Sequence, residues 1–258
     1  MKKMFASLLA TSALTVATLI GAQFTQAQAV ETIRFATEAT YPPFEFVGKD
    51  NQLEGFDIDL AKAICNELKA ECTFSNQSFD SLIPSLKFRR FDAVISGMDI
   101  TPDRLKQVDF SGPYYENSAI FVTDKNKGLT SIEALKGHSV GVQNGSTHQQ
   151  YLIEKLESQG VKVRPYDTFQ NAFLDMTSGR VDAVFADTAV AREWMKERGE
   201  GLYAQAGPEV KDADYFGIGY GIAVRKQDKL KEEIDSALKK LKENGTYQKI
   251  YDKYFNKA

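Results

Sequence analysis

Short apolar runs rich in β-branched and aromatic residues alternate with segments of helical period from Ile33 onward. An apolar run bounded by turn residues predicts a strand, and apolar positions recurring every three or four residues predict an amphipathic helix. On these rules residues 33–36 form a strand, and residues 57–68 form a helix that puts Leu60, Ile64 and Leu68 on one face, with Asp57 as its cap. Residues 72–75 form a second strand, 80–88 a helix and 92–96 a third strand. Parallel neighbours need a crossover between them, so this alternation predicts a parallel sheet.

After the turn-like stretch 123–128 the rhythm begins again. Strands are predicted at 140–142, 161–164 and 182–185, and helices at 147–156, 169–178 and 188–197. The phrase of helix, arginine, then Asp-Ala-Val occurs in both halves, at 90–94 and 180–184. Two α/β units fit this better than one. The remaining strand at 219–224 and helices at 229–242 and 246–254 are too few for a domain and must dock on one of the two units. If they join the first, the chain crosses between units near 117–121 and near 215–218, and two adjacent crossings make a hinge beside a cleft. The expected fold is α/β, with two parallel-sheet lobes: residues 30–118 plus 216–258 in the first and 119–215 in the second.

The two ends and the charge narrow the setting. Met1-Lys2-Lys3 precedes a charge-free stretch from Met4 to Ala22 and the small-residue triplet Ala27-Gln28-Ala29. This reads as a secretory signal (residues 1–29), cleaved before Val30. The apolar length just permits a retained membrane anchor, but the lysine start and the Ala-x-Ala site favour removal. No cysteine lies near the cut, so a lipid-modified start is not expected. Removal of Lys2 and Lys3, with no acid beside them, takes the formal charge from −3 to −5. A mildly acidic chain is a poor partner for nucleic acid. Cys65 and Cys72 are an even pair in a secreted chain and read as a disulfide. A metal site would need more ligands than His138 and His148, the only histidines, can bring together; no metal and no cofactor is expected.

Candidate chemistry collects after predicted strand ends, where open α/β sheets bind ligands. Ser96, Gly97 and Asp99 follow a buried strand, and Arg104 lies close behind. Arg104 either grips a carboxylate with two parallel hydrogen bonds or pairs at the surface with Asp103 or Asp109. Gly145-Ser146-Thr147 leads into a helix, where backbone N–H groups suit an anion; an ordinary helix cap is the competing reading. Asp187 is either an N-cap or the acceptor of an ammonium group. Glu38, Tyr41 and Phe79 supply an anion and two aromatic faces for a flat cation, although aromatics near loops are more often core. His148 reads as a capping or ligand-lining residue in preference to a general base. The glycines of Gly217-Ile218-Gly219-Tyr220-Gly221 run into a strand, not a helix, and read as hinge glycines in preference to a dinucleotide fingerprint.

Three runs carry a resemblance. Residues 39–44 (ATYPPF), 55–61 (GFDIDLA) and 79–86 (FDSLIPSL) resemble the polar amino-acid-binding proteins of ABC importers, and the similarity spans the whole chain beyond the signal. Residues 31–38, 72–90, 97–104 and 141–148 look closest to the periplasmic arginine-binding branch, ahead of the histidine and lysine/arginine/ornithine binders. The resemblance implies a type II periplasmic binding fold of two lobes joined by two hinge strands, and a monomer that delivers a cationic amino acid to a membrane ABC permease complex. By matching position, Arg104 and the Thr147 N–H would hold the ligand α-carboxylate, while Asp187, the Gly97 carbonyl and Asp99 would hold the α-ammonium. Tyr41 and Phe79 would sandwich the side chain, with Glu38, Gln143, Ser146 and His148 around it. Cys65 and Cys72 match a family disulfide. Asp99 and Gly97 stand where the lysine/arginine/ornithine binders have serine, and Glu38 where they have aspartate; the additional acid favours arginine over neutral side chains, while the longer Glu38 shortens the room at the side-chain end and leaves lysine against arginine open. The rival from another class is an enzyme on this fold, such as a periplasmic dehydratase of cyclic acids, which would need a placed acid or base in the cleft.

Overall fold

The computed structural model describes residues 31–198 and 201–256; the predicted signal segment lies outside the described residues. The chain begins with β1 (Thr32–Thr37), then β2 (Thr40–Tyr41), β3 (Glu45–Val47), β4 (Leu53–Glu54), α1 (Phe56–Leu68), β5 (Glu71–Asn76), α2 (Leu82–Lys87), β6 (Ala93–Val94), α3 (Pro102–Leu105) and β7 (Asp109–Phe110). Its middle forms β8 (Ala119–Asp124), β9 (Ser139–Gln143), α4 (Thr147–Tyr151), β10 (Lys162–Tyr166), α5 (Phe169–Thr177), β11 (Ala183–Asp187), α6 (Thr188–Glu197), β12 (Tyr203–Val210) and α7 (Ala213–Phe216). It closes with β13 (Ala223–Val224), α8 (Leu230–Glu243) and α9 (Thr246–Phe255).

Two five-stranded sheets result, in the orders β5-β1-β6-β13-β7 and β10-β9-β11-β8-β12, with a small third sheet of β2, β3 and β4. The predicted parallel sheet is present only at the heart of each. β1 runs parallel to β5 and β6, and β9 parallel to β10 and β11. β13 is antiparallel to β6 and β7, and β8 is antiparallel to β11 and β12. These are the strands next to the crossings between the two sheets. A strand arriving from the other sheet needs no helical crossover and is free to run against its neighbours.

The two crossings lie side by side. The Tyr114 N–H donates to the Tyr220 carbonyl at 2.9 Å, and the Tyr220 N–H to the Tyr115 carbonyl at 2.8 Å. Glycine is required here: a Cβ on Gly217 (φ +57) would lie 1.8 Å from the Ile100 oxygen, and one on Gly219 (φ +107) 2.2 Å from the Tyr115 oxygen. This explains the glycine run that the sequence reading placed at a hinge.

The C-terminal helices dock on the first sheet's helix layer. α8 buries Leu230, Ile234, Leu238 and Leu241, and both α8 and α9 pack on α1. Rings of Phe44, Phe56, Tyr115, Tyr220, Tyr251 and Phe255 interlock beneath, with centroids 4.8 to 6.3 Å apart. Burying each such side chain contributes roughly 1.5 to 3 kcal/mol. The second sheet has its own core, where Phe121 stacks on Phe185 at 4.1 Å and Phe173 on Trp194 at 4.3 Å.

Two local expectations are corrected. Asp57 does not cap α1: Gly55 takes the cap position with φ +126, and Asp57 is fully buried with its carboxylate turned inward. The helix expected over 147–156 is α-helical only to Tyr151 and continues as a π-helical turn over Leu152–Leu156. The disulfide forms between Cys65 and Cys72 and ties the end of α1 to the start of β5.

Candidate functional site

The twelve candidate residues come together. Glu38, Tyr41, Phe79, Ser96, Gly97, Asp99, Arg104, Gln143, Ser146, Thr147, His148 and Asp187 all line one narrow pocket between the two large sheets. Topology accounts for this. Glu38 follows the end of β1 and Ser96–Asp99 the end of β6, while Gln143 and Asp187 are the last residues of β9 and β11. The pocket thus lies off the carboxyl ends of the parallel strands of both sheets, where side chains leave the ladder and face each other.

On the first side, Arg104 is held in place by its own loop. α3 begins with Thr101 as its cap and Pro102 at its first position, which aims Arg104 back across the chain. The guanidinium is buried, donates from Nη1 to the Asp99 carbonyl at 3.0 Å and lies 5.4 Å over the Phe79 ring. The surface alternative is excluded, because Asp103 pairs with Lys106 and Asp109 with Lys226, each at 2.6 Å. On the second side, Ser146 caps α4, accepting from the Gln149 N–H at 3.1 Å and donating to the Gln143 carbonyl at 2.6 Å. Asp187 makes no side-chain cap for α6. Its carboxylate accepts instead from the Tyr41 hydroxyl and the Asn117 amide, and His148 Nε2 lies 3.1 Å away.

Polar groups meet across the cleft. Gln143 donates to Glu38 at 3.2 Å, Thr147 Oγ1 to Asp99 at 3.1 Å, and Asn117 bridges Asp99 and Asp187 from the first crossing. Tyr41 and Phe79 do not stack on one another. Tyr41 packs its ring 5.5 Å from Phe169, while Phe79 carries the Arg104 guanidinium. Glu45 and Phe169 line the pocket as well and were not singled out in the sequence; Asn117 was seen only as part of a crossing.

Burial dominates the electrostatics. It raises the Asp99 carboxyl to about 7 against the opposing pull of Arg104, Asn117 and Thr147. It raises Glu38, and lifts Asp187 well above the carboxylate range. It depresses the Arg104 guanidinium against the charge of Asp99. His148 is lowered to about 3, by burial first and then by Arg104, and its ring is wedged among Phe169, Phe185 and Phe216. Four acids, Glu38, Glu45, Asp99 and Asp187, therefore line one buried pocket beside a single guanidinium. Such a set is costly when ionised and is relieved by a bound cation. Among the described residues no group of three or more His, Cys, Asp or Glu side chains is arranged to hold a metal ion.

Two α/β sheets facing each other across a polar cleft, joined by paired crossings, define a two-lobed solute-binding protein. Residues 33–257 match the bacterial extracellular solute-binding proteins, family 3, and the chain belongs to that family. It is 54% identical over 230 residues to ABC transporter arginine-binding protein 1 of Escherichia coli, covering 89% of this chain and 93% of that one. The structure of a Salmonella typhimurium periplasmic binding protein of high arginine specificity superposes with a TM-score of 0.82 at 49% identity, covering 88% of this chain and all of the other. An ancestral arginine-binding protein bound to arginine superposes with a TM-score of 0.81 at 46% identity, covering 87% and 98%.

Proposed function

We propose that this protein captures L-arginine in the periplasm and presents it, in a closed form, to an ABC permease complex in the membrane. The carrying observation is the charge pattern of the cleft. Arg104 lines the pocket as its one guanidinium, and Glu38, Asp99 and Asp187 supply acids enough for an ammonium and a guanidinium together. In this reading Arg104 and the Thr147 N–H take the α-carboxylate. Asp187, Asp99 and the Gly97 carbonyl take the α-ammonium. Tyr41 and Phe79 flank the side chain, and Glu38, Gln143, Ser146, Ser96 and His148 surround it. The arginine binding stated for the relatives supports the choice of ligand.

The lobes in this reading are residues 30–118 plus 216–258 and residues 119–215, in a chain exported by the signal at residues 1–29, which is then removed, and acting as a monomer. The relatives are binding proteins, which supports binding over turnover.

Thermal unfolding against a panel of amino acids tests the proposal. A ligand that binds only the folded state stabilises it by about 4 kcal/mol at a thousandfold excess over Kd. A large shift with arginine is expected, and no shift with any amino acid would refute the reading.

A further inference from the structure

A pair of buried acids, one of which lines the pocket, has no part in the roles above. Glu45 comes from β3 and Asp57 from the first turn of α1; they are 1% and 0% exposed. Asp57 Oδ2 accepts from the Gly97 N–H at 2.9 Å and from the Tyr114 hydroxyl at 2.8 Å. Glu45 Oε1 accepts from the Ser96 hydroxyl at 2.8 Å, and that hydroxyl in turn accepts from the Glu38 N–H at 2.9 Å. The two remaining oxygens, Glu45 Oε2 and Asp57 Oδ1, are buried and have no hydrogen-bond donor, and the two carboxyls act on each other electrostatically.

Buried oxygens without donors call for an explanation, and two ionised carboxylates side by side in a dry site repel each other. A single proton between them removes both difficulties. We propose that Glu45 and Asp57 share one proton and act as a singly charged clamp that positions the backbone at Glu38 and Gly97 for the cationic ligand. Glu45 is then a positioning residue. Burial, and after it the Asp57 charge, push the Glu45 carboxyl well above its usual range, whereas burial lifts Asp57 only to about 6 against the donors Gly97 and Tyr114. The titratable groups facing the pair are Glu38 at the end of β1, Tyr114 before the first crossing and Tyr247 on α9.

What the clamp serves rests on the function proposed above; the shared proton does not. Glu45→Gln offers an amide N–H to Asp57 and an amide oxygen to Ser96, replacing the protonated acid without changing the charge. Glu45→Leu removes both. Infrared difference spectra of parent against Glu45→Gln at pH 7 are expected to show a protonated carboxylic acid in the parent only; its absence would overturn the proposal. Folding linkage gives a second readout. A carboxyl whose folded pKa is raised holds its proton in the folded state after the unfolded chain has released it, so it costs stability as pH rises above its ordinary 4.5. Glu45→Gln should therefore gain thermal stability relative to the parent as pH rises, and a constant difference would contradict the shared proton.

For arginine affinity, Glu45→Gln should stay close to the parent, while Glu45→Leu should weaken binding about tenfold or more, the cost of leaving buried partners unpaired. Equal losses in both, or none in either, would overturn the positioning role. A parent that does not bind arginine would refute the proposed function, with the spectrum and the stability profile still reporting on the proton.

Discussion

The two walls of the cleft carry different chemistry. The first-sheet wall holds charges of both signs, Arg104 with Glu38 and Asp99, over the buried Glu45 and Asp57 pair. The second-sheet wall holds one acid, Asp187, among neutral groups from Gln143, Ser146, Thr147 and His148. In the proposed reading a zwitterion with a cationic side chain would meet most of its charge complement on the first wall, while the second wall would add Asp187 to the ammonium site and the Thr147 N–H to the carboxylate site. The difference predicts an order of events: capture on the first wall, then closure of the second, which would exclude water and strengthen each ionic contact.

The largest expected effects come from removing the charge that each wall contributes to the two ends of the amino acid. Arg104→Ala and Asp187→Ala should each weaken arginine binding by about 100-fold or more, because a ligand charge is left unpaired in a dry site. The comparison predicts that they differ kinetically. Arg104→Ala should slow capture as well as weaken it, whereas Asp187→Ala should act mainly by speeding release, and stopped-flow measurements separate the two. Retention of affinity within a few-fold in either variant would break the proposed division of the site.

A smaller effect is expected from pH. Asp99, raised to about 7 by burial, holds a proton below that pH in the ligand-free cleft. A cationic ligand favours the ionised acid, so below about pH 7 binding must expel the proton and affinity falls, by at most about tenfold per pH unit for each proton released. Above pH 7 that penalty is absent. Calorimetry in buffers of different ionisation heat measures the released proton directly; affinity that rises on acidification would contradict the assignment.

The smallest effect on binding belongs to the disulfide. Cys72 sits near the start of β5, at the end away from the cleft, whereas Asn76 at its far end holds the Ala39 N–H beside the pocket. Reduction should lower stability by about 2 to 3 kcal/mol, chiefly by freeing the unfolded chain, and leave arginine affinity unchanged. Chemical denaturation with and without reductant, paired with titration, checks both parts.

Part of this site was legible in the sequence because its residues follow apolar runs: Ser96 and Asp99 come after the run that contains β6, and Asp187 ends β11. Gln143, the last residue of β9, entered only through the family resemblance. Glu45 was missed altogether. The sheet of β2, β3 and β4 has strands of only two or three residues, too short to show alternation, and no element was predicted between residues 36 and 57. Asp57 was read as a cap because an acid at a helix start fits that local signal; its burial under Gly97 is a tertiary fact. β8 was read as a crossing, and β12 fell between predicted elements, since an edge strand with glycine and proline has a weak pattern. Phe169 looked like the first core residue of α5, and nothing local shows that its ring also meets Tyr41 and His148.

The central claim is that the cleft is built for a cationic amino acid, and calorimetric titration of the purified protein with arginine, glutamine and histidine tests it most directly. Arginine should bind tightest, with uptake of one ligand per chain. Tighter binding of glutamine or histidine, or no heat with any of the three, would contradict the account.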